Sequence, residues 1–171
     1  MNRNLSRYVG VAFALWMSVA VGQVVSFADG GARLSLPAGY THELEDKGKT
    51  IVVRPPTPGL FELRLTFNST AQYAKKRPNI AQEFVMDAAK KKGRTIGRIR
   101  GTGNIAFLEI GSDSMVNGER ARNMQGLIAL GQGYVALTLT VPEKNTETPA
   151  VRDFLGGGME TLLGGLRAGK T

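Results

Sequence analysis

The stretch from Leu127 to Val141 limits what this chain can fold into more than any other. It reads Leu-Ile-Ala-Leu, then Gly-Gln-Gly, then Tyr-Val-Ala-Leu-Thr-Leu-Thr-Val, and after the glycines the residues alternate strictly. Val135, Leu137, Leu139 and Val141 fall on one side and Tyr134, Ala136, Thr138 and Thr140 on the other, because successive side chains of a strand point to opposite faces. That is the pattern of a half-buried strand. Burying its four apolar side chains is worth ~1.5–3 kcal/mol each before chain entropy is subtracted. The stretch therefore predicts a β-hairpin at the centre of a sheet.

The remaining elements arrange themselves around it. Arg33 to Leu36 reads as a first strand, interrupted by the turn Pro37-Ala-Gly39 and continued by Tyr40 to Leu44. Asp46 to Lys49 is a second turn, leading into the β-branched run Thr50 to Val53, and the three prolines between Arg54 and Gly59 impose an extended loop. Leu60 to Phe67 alternates clearly, with Phe61, Leu63, Leu65 and Phe67 inward and Glu62, Arg64 and Thr66 outward. A helix is predicted next. Asn79 and Gln82 form a capping-box pattern, Ile80, Phe84 and Ala88 repeat at four-residue spacing beside Ala81, Val85 and Ala89, and Lys90, Lys91 and Lys92 complement the negative end of the dipole before Gly93. A weak strand follows around Ile96 to Ile99, and a firmer one at Ile105 to Ile110. Asn117-Gly118 is a strong type I′ turn signal, joining Ser114 to Val116 with a strand from Arg120 onward, so a four-stranded meander closes on the central hairpin. Thr148-Pro149 opens a final helix with Val151, Leu155, Met159, Leu162 and Leu166 on one face. Five glycines, Gly156, Gly157, Gly158, Gly164 and Gly165, weaken it by about 1 kcal/mol each relative to alanine, so packing must hold it or interrupt it. The fold class expected is α+β, a central antiparallel meander covered by an amphipathic helix and a C-terminal helix in an α-β-α sandwich.

This order of elements, with Ser35 to Tyr40 (Ser-Leu-Pro-Ala-Gly-Tyr) near the start and Gly131 to Pro142 near the end, resembles the PsbP-like and DcrB-like superfamily over about Arg33 to Leu166. The resemblance implies helices on both sides of an antiparallel sheet. It also implies a binding or adaptor role, since members include a photosystem extrinsic subunit, exported bacterial proteins and chaperones of secreted effectors. No family site residue carries over, because the shared pattern is one of strands and not of chemistry.

Arg3 and Arg7 precede an apolar run from Tyr8 to Val21, and Ser26-Phe27-Ala28 places small residues where a signal peptidase requires them. The expected organisation is a leader over residues 1–28 and a single domain over residues 29–171. The alternative is an uncleaved inner-membrane anchor through residues 8–25, which Gly22 and Gln23 make a poor span. The cleaved product is expected to be exported, periplasmic or extracellular, whereas the uncleaved alternative is anchored in the inner membrane. With no cysteine in its 171 residues, the chain has no disulfide, thiolate site or lipoprotein anchor.

Charge is concentrated. Lys75, Lys76, Arg77, Lys90, Lys91, Lys92, Arg94, Arg98 and Arg100 are opposed within their segment only by Glu83 and Asp87, a net +7, whereas the rest of the chain after the leader nets −1. These nine residues are the candidate site, one that faces a protein partner, an anionic envelope component or lipid head groups in peripheral membrane contact. A solubilising helix end is the plainer reading of the same residues. Nucleic acid is disfavoured, because no aromatic residue in the segment is free to stack and Phe84 belongs to the core stripe.

The other motifs reduce to structure. Gly164 to Thr171 has P-loop spacing, yet a P-loop needs a strand before it and a helix after it, and here the sequence stops. His42 is the single histidine and reads as a surface residue. Glu109, Asp113 and Glu119 lack calcium-loop spacing and read as solvated charges. No cofactor or metal is implied and no catalytic residue is assigned. A non-enzymatic exported binding or adaptor protein is the leading expectation, and a hydrolytic or other enzyme with an unrecognised polar site is the alternative.

Overall fold

The computed structural model describes residues 22–69, 99–100, 105–116, 118–130 and 133–169, together with Ala81, Glu83, Met86, Asp87 and Lys90. Strands β1 (Gln23–Ser26), β2 (Ala32–Leu36), β3 (Thr41–Glu45), β4 (Thr50–Arg54) and β5 (Glu62–Ser69) come first. After them lie β6 (Ile99–Arg100), β7 (Ile105–Val116), β8 (Glu119–Leu130) and β9 (Gly133–Pro142). The chain finishes with α1 (Pro149–Asp153), a π-helical turn over Phe154–Gly158, α2 (Met159–Leu163) and β10 (Leu166–Ala168).

Among the described residues all strand pairs are antiparallel and form two sheets, one of seven strands in the order β3-β4-β5-β9-β8-β7-β6 and one of three in the order β1-β2-β10. β9 is thus the middle strand of the large sheet, where its alternation requires it to be. Its inward residues lie in rows with those of β5, Leu63 opposite Leu139, Leu65 opposite Leu137 and Phe67 opposite Val135. All six are at most 4% exposed. The Gly118 backbone has φ 79°, as the turn between β7 and β8 requires, and the two strands hold register from Val116 opposite Glu119 to Ile105 opposite Ile128, with a bulge between Ile110 and Ser114.

The α+β class and the meander agree with expectation, and so do the helical states of Ala81, Glu83, Met86, Asp87 and Lys90. Ala81 is fully buried while Glu83, Met86, Asp87 and Lys90 are exposed, and the other members of the expected apolar stripe, Ile80, Phe84, Val85, Ala88 and Ala89, lie outside the described residues.

Three features differ from the sequence reading. Ala32–Leu36 and Thr41–Glu45 are not one interrupted strand: the turn at Pro37 to Tyr40, with Gly39 at φ 82°, passes the chain from the small sheet to the large one. Leu166 is not the last turn of a helix. It begins β10 and pairs with Leu34, after Gly164 and Gly165 end α2. Finally, Gln23–Ser26 form a strand paired with the whole of β2, from Gln23 opposite Leu36 to Ser26 opposite Arg33.

The small sheet and the C-terminal helix share one core with the large sheet. Val25, Phe27, Leu34 and Leu36 contribute from the first, Val151, Phe154, Met159, Leu162 and Leu163 from the second. The Phe61 and Phe154 rings stack with centroids 4.1 Å apart, and those of Phe27 and Phe67 meet at 5.8 Å. The glycine-weakened helix is therefore held by packing, and it yields at its glycines by widening into a π turn. The opposite face of the large sheet is polar at its edge, yet Val52 and Leu127 are fully buried there, so that face is covered as well. Among the described residues no helix is long and apolar enough to cross a membrane.

Candidate functional site

Outward positions on β3, β4 and β5 carry Glu43, Glu45, Arg54, Glu62 and Arg64, and antiparallel pairing brings them together. Arg54 Nη1 donates to Glu43 Oε2 at 3.0 Å and its Nε to Glu62 Oε2 at 3.2 Å. Arg64 Nε donates to the other oxygen of Glu62 at 3.0 Å, while its Nη1 and Nη2 grip both oxygens of Glu45 at 2.6 and 3.0 Å. A continuous ladder results, Glu43-Arg54-Glu62-Arg64-Glu45, with a net charge of −1. The fork of Arg64 on Glu45 is bidentate, the geometry in which guanidinium and carboxylate fit best.

Both guanidinium pKa values are raised. For Arg64 the first cause is the hydrogen bonding to Glu45, set against desolvation and helped by Glu62; for Arg54 it is the hydrogen bond to Glu43. Each cation is thus fixed in its charged form by carboxylates it already holds.

The ladder borders an open cleft of about 570 Å³. Arg54, Glu62 and Arg64 line part of it, Glu119 and Lys144 line another part, and Phe61 and Pro142 add apolar surface. Lys144 Nζ donates to Glu119 Oε1 at 2.7 Å, so this pair also neutralises itself. Thr140, also in the cleft, gives its hydroxyl proton to Asn123 Oδ1 at 2.8 Å. Asn145 secures the Gly59 loop by donating to the Gly59 carbonyl at 2.7 Å. The chemistry open to such a cleft is limited. An incoming anion has to displace a carboxylate from an arginine, and an incoming cation has to displace an arginine from a carboxylate.

Of the nine basic residues expected to form a site, Lys75, Lys76, Arg77, Lys91, Lys92, Arg94 and Arg98 lie outside the described residues. Lys90 is helical and exposed, and Arg100 pairs with Phe107 at the β6 edge of the large sheet. Of the remaining candidates, Glu109 and Asp113 lie along β7. His42, on β3, pairs with Val53 of β4 and is half-buried. Glu119 is taken by Lys144. The glycine-rich end runs from helix into strand, the reverse of the strand-loop-helix order a phosphate loop needs, and Arg167 folds back onto the Gly164 carbonyl.

The charged ladder was not legible as a unit. Each of its members reads as an ordinary solvated position in its own strand. The available signal is faint: Glu-x-Glu at 43 and 45, Arg54, and Glu-x-Arg at 62 and 64 put opposite charges on like-facing positions of consecutive strands.

No family model matches the chain, and no curated protein matches it. Solved structures do. A crystal structure from Bacteroides thetaiotaomicron VPI-5482 is similar at 12% identity and a TM-score of 0.57 over 88% of this chain, which spans about half (49%) of that one. The solution structure of cyanobacterial PsbP (CyanoP) from Synechocystis sp. PCC 6803 is similar at 12% identity and a TM-score of 0.46, over 96% of this chain and 98% of that one. A PsbP-like order of elements is expected from the sequence, and a cyanobacterial PsbP is among the similar structures; the likeness to the Bacteroides structure is one of fold alone.

Proposed function

We propose that this chain is an exported, non-enzymatic binding or adaptor domain of a bacterial cell envelope, and that it engages an anionic lipid surface through the segment Lys75 to Arg100. The observation behind this reading is how charge is divided. Within the described fold Glu43, Glu45, Glu62 and Glu119 are committed to Arg54, Arg64 and Lys144, so these carboxylates are not on hand to neutralise the segment. The segment's +7 then stands against −1 for everything else beyond the leader. The cleft does not compete for the role of anion site, since its own cations are spent. A ladder of paired charges also favours binding over catalysis, because acid–base chemistry needs a group poised to exchange its proton.

Each basic side chain near an anionic membrane contributes about 1 kcal/mol, fading within a Debye length of about 8 Å at physiological salt. Three or four engaged groups give weak, salt-sensitive attachment, suited to a peripheral adaptor. The test is co-sedimentation with vesicles containing an anionic phospholipid, comparing the leaderless wild type with a variant carrying Lys90→Gln, Lys91→Gln, Lys92→Gln and Arg94→Gln. Wild type is expected to bind at low salt, release at high salt, and lose most binding in the variant. Equal binding by both proteins, or binding indifferent to salt, refutes the assignment.

A further inference from the structure

We infer that the leader ends no later than Gly22, so that export processing leaves β1 on the mature domain and the cut falls at Ala20–Val21 or Gly22–Gln23, not after Ala28. This rests on the export reading above and deepens it by naming the processed bond.

A cut after Ala28 removes a part of the fold. Val25 and Phe27 are 5% and 2% exposed, and they belong to the same core as the large sheet. All four residues of β1 pair with β2. Without them the small sheet is reduced to β2 and the three-residue β10, a two-stranded ribbon of the kind that is marginal in water. The link out of β1 is also engaged: Phe27 N donates to Ala32 O at 3.0 Å and Ala28 N to Gly48 O at 2.9 Å. The second bond clamps a turn in which Asp46, Lys47 and Gly48 all have positive φ, at 50°, 59° and 82°. The first two are not glycines, so the turn is strained and depends on such outside contacts together with the hydrogen bond from Thr50 Oγ1 to Asp46 Oδ2 at 2.9 Å.

The sequence upstream of β1 offers two bonds that satisfy the same small-residue rule as Ser26-Phe27-Ala28. Ser18-Val19-Ala20 places small residues three before and one before a cut at Ala20–Val21, and Ala20-Val21-Gly22 does so for a cut at Gly22–Gln23. The first lies at the very end of the apolar run and the second just after it, and both spare the core. Ala20 is common to the two, standing last before one bond and third before the other.

The experiment is to produce the full chain in an exporting bacterial host and read the amino terminus of the released protein by intact mass. A start at Val21 or Gln23 is expected. A start at Asp29 overturns the inference while leaving export intact, and an uncleaved Met1 on a membrane-extracted form overturns both. Ala20→Tyr separates the sites independently, since it obstructs both proposed bonds and leaves the later motif unchanged. It is expected to accumulate precursor, and normal processing of this variant overturns the inference. Leaderless chains beginning at Gln23 and at Asp29 supply the physical arm. The shorter chain is expected to melt about 10 °C or more below the longer or to lose its cooperative transition. Equal melting temperatures count against the inference.

Discussion

Replacing Leu137 with alanine should be among the most damaging single truncations in this molecule, and the structure gives the reason. Leu137 sits on the middle strand of the large sheet, 2% exposed, between Leu65 of β5 and Gly126 of β8. The substitution removes three carbons, whose lost transfer free energy is roughly 2.4 kcal/mol at about 0.8 kcal/mol per methylene. A cavity term adds to this. Glycine on the β8 side has no side chain to move into the vacancy, and the flanking rows Leu63–Leu139 and Phe67–Val135 are pinned by sheet pairing, so collapse is poor and the cost should fall at about 3–5 kcal/mol. Urea denaturation of the chain from Gln23 onward measures it, with an unchanged slope required so that the midpoint shift reports native-state stability. Leu44→Ala is the internal control, for Leu44 is 49% exposed on the edge strand β3 and its truncation should cost well under 1 kcal/mol. A loss below about 1 kcal/mol for Leu137→Ala would refute the placement of this row at the sheet centre.

Two further outcomes follow from the ladder and the glycines. Arg64→Lys should cost about 1 kcal/mol or less near neutrality, as befits a partly exposed pair, and the deficit should widen above about pH 10. The raised pKa of Arg64 means that its contribution is complete below the unfolded value and is lost only at still higher pH, whereas a lysine discharges near 10.4. Stability curves that stay parallel from pH 8 to about pH 11 contradict this. Among the glycines, Gly133→Ala should destabilise strongly, because its Cβ would collide with the Asn68 carbonyl oxygen in the neighbouring strand. Gly156→Ala meets nothing within 4 Å and should instead raise stability by about 0.5–1 kcal/mol, measured in the same denaturation series. A neutral Gly133→Ala would show that β5 and β9 do not approach so closely at that point.

What the sequence determines by itself is local. Period-two alternation at Leu60 to Phe67 and at Tyr134 to Val141 identifies both strands and their buried faces, since burial of one face leaves only one register in which the apolar residues are inside. The turn at Gly118 and the burial of Ala81 are legible for the same reason, each being set by residues within a few positions of one another. The tertiary structure decides what depends on distant partners. Gln23–Ser26 looks like the tail of an apolar leader and becomes a strand because β2 offers an edge with Leu34 and Leu36 facing the core. Leu166 continues a helical face on paper, yet two glycines free it to pair with β2. Glu43, Glu45, Arg54, Glu62 and Arg64 are five scattered charges until the registers of β3, β4 and β5 lay them side by side. Periodicity is written along the chain, whereas register and partner choice are free energies shared between segments far apart in it, and no single segment carries them.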